Sequence, residues 1–240
     1  MGRESSARES EIPTVQQKIR QFGGTVGGFR RNLLESLGGW DENILAEDTD
    51  LTFRVYLAGY KVKYVADAEC YEEAVESWRA YWKQRYRWAK GHMQCAFKHW
   101  LNVLRSKKLS FVQKIDGLLL LNIYFAPILV LVSWIIGIPL FFLKFSQWLP
   151  TVWMVTSISL YSSVGNFAPF YEVGIGAHID GRTRAQWLIP LLIFTFLYNI
   201  PICSKALLDI FVSKIRGRSD NRWEKTVHSG NGNRYIVKGA

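Results

Sequence analysis

The stretch Gln84-Arg85-Tyr86-Arg87-Trp88 lies inside a basic, aromatic segment running from Trp78 to about Lys108. At helical spacing Gln84, Arg87 and Trp88 stand at i, i+3 and i+4 and share one face. The three side chains suit different parts of one ligand. An indole stacks on a sugar ring, an amide bonds a hydroxyl and a guanidinium holds phosphate. Gly91, one further turn along, would let a ligand or a neighbouring backbone come close. An isolated pentapeptide of this kind also fits an ordinary amphipathic helix with a polar stripe, so its flanks decide.

Upstream, Glu47-Asp48 opens the run A-E-D-T-D-L-T-F-R from Ala46 to Arg54. Leu51, Val55 and Ala58 fall at helical spacing and Gly59 supplies a stop, which predicts a helix with Glu47 and Asp48 in its first turn. Acidic residues at a helix start are often only caps, and Asp50 and Glu47 are read that way. Earlier still, F-G-G-T-V-G-G-F-R-R (Phe22 to Arg31) carries Gly23, Gly24, Gly27 and Gly28. Such density fits either a flexible turn or a strand end where the backbone approaches a ligand. Arg31 to Leu37 then reads as a short helix stopped by Gly38-Gly39.

Together these motifs resemble those of the processive inverting glycosyltransferases of family 2, the group of cellulose, hyaluronan and poly-N-acetylglucosamine synthases. Q-R-Y-R-W looks like their Q-x-x-R-W signature, Glu47-Asp48 like their glutamate-aspartate pair, and the glycine turn with Arg30-Arg31 like their small-residue turn and paired arginines. The resemblance runs from about Phe22 to the C-terminus, with Val75 standing where the family has a proline. It implies an α/β plus transmembrane α chain: part of a GT-A glycosyltransferase domain, an interfacial amphipathic helix, then helical membrane segments.

The same resemblance implies a transferase that moves a hexose from a nucleotide-sugar donor to a glycan acceptor with inversion, in polysaccharide biosynthesis. Asp48 would be the catalytic base, since one carboxylate must take the acceptor hydroxyl's proton as it attacks the anomeric carbon. Gln84 and Trp88 would bind the acceptor, Gly23 and Gly24 would lie beside its pocket, and Arg87 would bind the diphosphate. A divalent cation (Mg or Mn) is expected for the intact enzyme. The family's D-x-D motif should precede this chain, and Asp48-Thr49-Asp50 mimics its spelling at the base position. The chain is therefore expected to lack an N-terminal catalytic half and to be inactive alone. The rival reading is a non-catalytic membrane translocation or assembly subunit retaining the scaffold.

Composition fits a divided chain. Apolar residues make up 49% of 240, yet the net charge is +10, and the two are segregated along the sequence. Cys70, Cys95 and Cys203 lack motif spacing and imply no disulfide framework. His92, Cys95 and His99 lie near one face, but match no standard zinc spacing and lack a fourth ligand. From Arg79 to Lys108 there are nine Lys or Arg and no Asp or Glu, interleaved with aromatics. Such a mixture suits nucleic acid or a membrane surface. It leads straight into a hydrophobic run, which favours an interfacial helix on anionic lipid and no nucleic-acid partner.

In order, the chain reads as a polar, poorly ordered or weakly helical segment (1–21), the acceptor side of the GT-A domain (22–76), the interfacial helix (77–112), a transmembrane region (113–211) and a basic tail (212–240). Within the second part, Tyr60 to Val65 alternates as a half-buried strand should, and Glu72 and Glu73 read as surface charges. Three uncharged stretches, Gly117 to Leu143, Phe145 to Tyr171 and Trp187 to Ser204, reach spanning length. Their prolines, including Pro139 and Pro201, should kink or end helices. The expected location is the cell membrane, multi-pass, with the catalytic part on the cytoplasmic face. Three spans would put the basic tail outside, against the positive-inside bias. Trp223-Glu224-Lys225-Thr226 looks like a cytoplasmic element of related synthases, and a cytoplasmic tail is favoured.

Overall fold

A computed structural model describes residues 18–25, 27–63, 65, 70, 72–143, 170–179 and 181–217. The elements are α1 (Arg31–Ser36), α2 (Glu47–Leu57), α3 (Trp78–Arg105), α4 (Phe111–Asn122), a 3₁₀ turn (Ile123–Phe125), α5 (Ala126–Phe142), α6 (170–179), a 3₁₀ stretch (Thr183–Leu191) and α7 (Leu192–Ile215). They belong to two compact units, one made from Met1–Ala126 with Ile202–Ala240 and the other from Pro127–Pro201.

Local sequence sets the helix ends. Gly38 and Gly39 take φ of 81° and 68° after α1, as the glycine pair predicts. Past α2, Gly59 at φ 90° lets Tyr60 N–H reach Val55 O (3.2 Å) and its own N–H reach Tyr56 O (2.9 Å), the paired bonds of a Schellman end. Ser77 caps α3 by accepting from Ala80 N–H (3.2 Å), and Ser110 with Gln113 forms a capping box at α4.

The first unit is built round α2, which buries Thr49, Asp50, Leu51, Thr52, Phe53, Val55 and Tyr56. A surface helix buries one stripe, whereas α2 is covered on most of its circumference. Its core partners include Cys95, Ala96 and Val103 of α3 and Leu121 of α4. Gly117 of α4 faces Ile19, Phe53 and Val103, and a Cβ there would stand 2.7 Å from Ile19 Cδ1. A larger residue would push α4 off the core.

The third cover is the chain just before the glycine turn, which corrects the reading of 1–21 as poorly ordered for its described residues, 18–21. Ile19 is buried and its N–H donates to Asp116 Oδ2 (2.6 Å). Arg20 N–H donates to Tyr56 Oη (2.8 Å), Gln21 Nε2 to Thr49 Oγ1 (2.6 Å) and Phe22 N–H to Thr52 Oγ1 (3.0 Å). Thr49, Thr52 and Tyr56 form one stripe of α2, so a row of hydroxyls receives an extended chain much as a neighbouring strand would.

Two further expectations change. No strand occurs among the described residues, so the α/β character read from sequence is not seen there. Residues 60–63 and 65 run without a ladder partner, and alternation makes a strand only where another strand pairs with it. Of the two effects expected of the prolines, kinking or ending a helix, ending is ruled out for Pro139 and Pro201, which lie inside α5 and α7, and α7 continues past Ser204 to Ile215.

Two runs are long and apolar enough to cross a membrane, Phe111–Pro139 (29 residues) and Gln186–Ile215 (30 residues). They carry the first and third uncharged stretches. The second lies almost wholly outside the described residues, as do the tail beyond 217 and its Trp223–Thr226 element. Leu119, Leu129, Phe142 and Trp187 are 68%, 68%, 76% and 86% exposed, apolar surface that water would penalise and lipid would not. Within the second unit, Gln186 Nε2 donates to Gly174 O (3.0 Å) and ties the 3₁₀ stretch to α6.

Candidate active site

The site forms where α3 crosses the start of α2. Gly91 makes the crossing: a Cβ there would lie 2.5 Å from Ala46 N, 2.7 Å from Ala46 Cβ and 2.8 Å from Leu45 C. Of the two partners foreseen for Gly91, a ligand or a neighbouring backbone, it is the backbone. One turn on, Gln94 Oε1 accepts from Leu45 N–H (3.1 Å) and Cys95 Sγ–H donates to Ala46 O (3.4 Å). Both residues just before Glu47 are thus clamped to α3, which fixes where the glutamate-aspartate pair begins.

Asp48 sits in the first turn of α2, part-buried. Its Oδ1 accepts from Thr49 N–H (2.6 Å) and Thr49 Oγ1 (3.3 Å), and its carbonyl accepts from Thr52 Oγ1 (2.8 Å). Its Oδ2 faces Gly24, where a Cβ would stand 3.2 Å away. Gly24 has φ +84°, a conformation that side chains rarely adopt. Of the two glycines singled out from sequence, Gly24 meets Asp48 and Gly23 faces open space. The turn is held by its own aromatics, with Phe22 and Phe29 edge to face at 5.1 Å and Trp40 6.3 Å from each. Thr25 Oγ1 donates to Glu72, an exposed charge as expected, which also ties down the turn.

Gln84, Arg87 and Trp88 are partly buried on α3, on the face that helix geometry predicts. His92, one turn past Trp88, meets α2: its Nε2 is 3.4 Å from Thr49 Oγ1 and its ring lies 4.7 Å from that of Tyr124. Trp88 therefore stands about 6 Å along the axis from the residue that touches Asp48's neighbour. Arg85, passed over in the sequence reading, lies with its guanidinium 4.6 Å over Trp88 and 5.0 Å over Tyr81. One face of the indole is thereby covered from within the helix.

Asp50 is not a cap. It is fully buried, and Arg54 Nε (2.8 Å), Lys98 Nζ (2.7 Å) and His99 Nε2 (2.7 Å) converge on it. Burial alone would raise its carboxyl, but the hydrogen bonds from His99 and Lys98 outweigh that and hold it at about 2. Arg54 continues to Leu37 O (2.6 Å) and Gly39 O (2.7 Å), and Lys98 to Asp41 (2.7 Å), so one carboxylate knits α2, α3 and the loop after α1.

This arrangement tests the fit of a divalent cation. Among the described residues no group of three His, Cys, Asp or Glu gathers to hold one. Asp48 and Asp50 are two positions apart on a helix and point to different sides. Both Asp50 oxygens are engaged by cations of the protein itself. These described residues do not fit a metal. His92, Cys95 and His99 likewise turn to separate partners: His92 to Thr49 and Tyr124, Cys95 to Ala46 O and His99 to Asp50. Burial pushes the Cys95 thiol well up, so it is an inert core group.

Residues 21–199 match the model of glycosyl transferase family group 2. Over 91 residues the chain is 41% identical to the probable glycosyltransferase YdaM of Bacillus subtilis (strain 168), covering 38% of this chain and 22% of that protein. Over 173 residues it is 31% identical to the probable glucomannan 4-beta-mannosyltransferase 11 of Oryza sativa subsp. japonica, covering 69% of this chain and 30% of that protein. The chain covers under a third of each of these relatives. No solved structure matches.

Proposed function

The chain belongs to glycosyl transferase family group 2, and from that premise we propose that it carries the acceptor side and membrane part of a processive-type transferase. Such an enzyme moves a hexose from a nucleotide-sugar to a growing glycan with inversion. The observation that carries this reading is the Asp48 carboxylate, held on one oxygen by Thr49 and turned with the other towards Gly24.

In the proposed step, the acceptor hydroxyl attacks the anomeric carbon from the side opposite the diphosphate. Its proton passes to Asp48, and the electron pair of the broken C1–O bond leaves with the nucleoside diphosphate. Trp88 stacks on the acceptor sugar with the face opposite Arg85, Gln84 bonds an acceptor hydroxyl and Arg87 takes the diphosphate charge. The roughly 6 Å between Trp88 and His92 along α3 is on the scale of one sugar ring, which suits a last residue spanning indole and base.

Membrane attachment runs through Phe111–Pro139 and Gln186–Ile215. Placing the catalytic part and the end of α7 on one face, the cytoplasmic one, is supported by two contacts with α3 and an ion pair within α7 that fixes one of them. Tyr86 Oη donates to Asp209 Oδ2 (2.5 Å), Lys205 Nζ pairs with the same carboxylate (2.6 Å), and Phe97 packs on Phe211 at 6.2 Å. A helix that leaves the bilayer beside the Q-x-x-R-W helix returns the basic tail to the side of Asp48, in accord with the positive-inside bias.

The test uses membranes in which the chain is supplied with a donor-side half carrying D-x-D, incubated with a panel of labelled nucleotide-sugars. Incorporation of label into polymer, with the anomeric configuration inverted by NMR, is expected, and Asp48→Asn should slow it by about 10²–10⁴-fold. Absence of transfer from every donor, or retention of configuration, would overturn the reading.

A further inference from the structure

We propose that Thr49 is a positioning residue that selects which oxygen of Asp48 reacts, and that Gln21 and His92 hold the Thr49 hydroxyl to that task. The proposal rests on the reading of Asp48 as the base.

The Thr49 hydroxyl has one proton to give and two lone pairs to receive. Gln21 Nε2 donates to it at 2.6 Å, using one lone pair. Two acceptors compete for its proton, Asp48 Oδ1 at 3.3 Å and His92 Nε2 at 3.4 Å. The tautomer of His92 decides between them. His92 Nδ1 is buried against Tyr124 and has no hydrogen-bond partner. A proton on Nδ1 would be a buried, unmet donor, the costlier kind of orphan. Placed on Nε2 instead, the proton points at Thr49 and fills its second lone pair.

Burial lowers the His92 pKa, so the ring is neutral and carries a single proton to place. With both lone pairs filled, the Thr49 hydroxyl must donate to Asp48 Oδ1. That oxygen then holds two donors, the hydroxyl and the Thr49 N–H at 2.6 Å.

Oδ2 is left as the proton-accepting atom, and it is the atom that looks over Gly24. A Cβ at position 24 would sit 3.2 Å from Oδ2, so the missing side chain keeps that lone pair open. The acceptor hydroxyl comes in over Gly24, gives its proton to Oδ2 and bonds to the anomeric carbon as the diphosphate departs. Oδ1 stays fixed throughout, so the carboxylate does not rotate away from the hydroxyl it must deprotonate. Thr49, Gln21 and His92 come from three separate parts of the chain, which is why no local motif exposes the arrangement.

The experiment measures transfer kinetics in membranes in which the chain is supplied with a donor-side half carrying D-x-D, with kcat taken per folded molecule. Thr49→Val keeps the buried shape and removes the hydroxyl. It should lower kcat about tenfold, the worth of one hydrogen bond to a charged group, with the donor KM unmoved. Thr49→Ser restores the hydroxyl and should recover kcat to within about threefold of wild type. His92→Phe keeps the ring against Tyr124, removes Nε2 and should lower kcat comparably. The double variant should be no worse than the single ones, since both break one chain of bonds. Wild-type kcat in Thr49→Val and His92→Phe, no recovery in Thr49→Ser, or additive losses would overturn the proposal while Asp48→Asn remains slowed by about 10²–10⁴-fold. Retained transfer by Asp48→Asn would instead remove the base reading itself.

Discussion

Gly91→Ala should destabilise the protein, although the same change in an ordinary helix interior gains about 1 kcal/mol from propensity. The new Cβ would meet Ala46 N at 2.5 Å, Ala46 Cβ at 2.7 Å and Leu45 C at 2.8 Å. Carbon contacts are comfortable from about 3.5 Å, so the overlap approaches roughly 1 Å. The atoms in the way are mostly backbone, and Gln94 and Cys95 of α3 hold that backbone in place. Overpacking of this kind costs about 2–3 kcal/mol at the upper end of its usual range. Subtracting the propensity gain leaves a net loss of about 1–2 kcal/mol. For a chain of this size that lowers the melting temperature by roughly 2–8 °C. Gly137→Ala in α5, where nothing lies within 4 Å of the new Cβ, is the control and should melt no lower than wild type. Thermal unfolding of the detergent-solubilised protein, followed by circular dichroism, reads both. Transfer per folded molecule should also fall in Gly91→Ala, because displacing α3 moves His92 and Trp88 relative to Asp48. Melting of Gly91→Ala at or above the control would refute the close crossing.

Asp48→Asn keeps the shape of the side chain but cannot take a proton, and should slow transfer by about 10²–10⁴-fold with donor binding little changed, measured by initial rates and by titration of donor. Trp88→Ala should instead weaken the acceptor by roughly 2- to 10-fold in KM, the worth of one aromatic contact, and release shorter chains in a size analysis of the product. Asp50 is held at about 2 against an ordinary value of 3.8, so its contribution to stability, on the order of 2 kcal/mol, is complete above the ordinary value and disappears as pH falls towards about 2. Asp50→Asn should flatten that acid limb in a pH series of unfolding curves and cost about 3–5 kcal/mol at neutral pH, since Arg54, Lys98 and His99 lose their shared partner. An unchanged acid limb would argue against the buried hub. Carbonate extraction should leave the chain in the membrane pellet, and its release would contradict spanning by Phe111–Pro139 and Gln186–Ile215.

Sequence alone determined what depends on neighbours along the chain. The common face of Gln84, Arg87 and Trp88 follows from helical period. The glycine stops after α1 and α2 follow from positive φ, and the start of α3 follows from Ser77. Glu47-Asp48 in a first helical turn could be read for the same reason, as could two apolar runs of spanning length. Tertiary structure decided the rest, because the partners are far apart in the chain: Gln21 and Thr49 by 28 positions, Asp50 and His99 by 49, Ile19 and Asp116 by 97. A carboxylate at a helix start reads as a cap until something is known to surround it. Asp50 turned out to be a hub because α3 brings Lys98 and His99 over it, and α3 can come that near only because Gly91 has no side chain. The strand expected at Tyr60 to Val65 shows the converse. Its alternation is intrinsic to the sequence, but a strand needs a partner, and among the described residues none pairs with it. Local patterns specify conformations that one segment satisfies by itself, and the site depends on which distant segments close packing allows to meet.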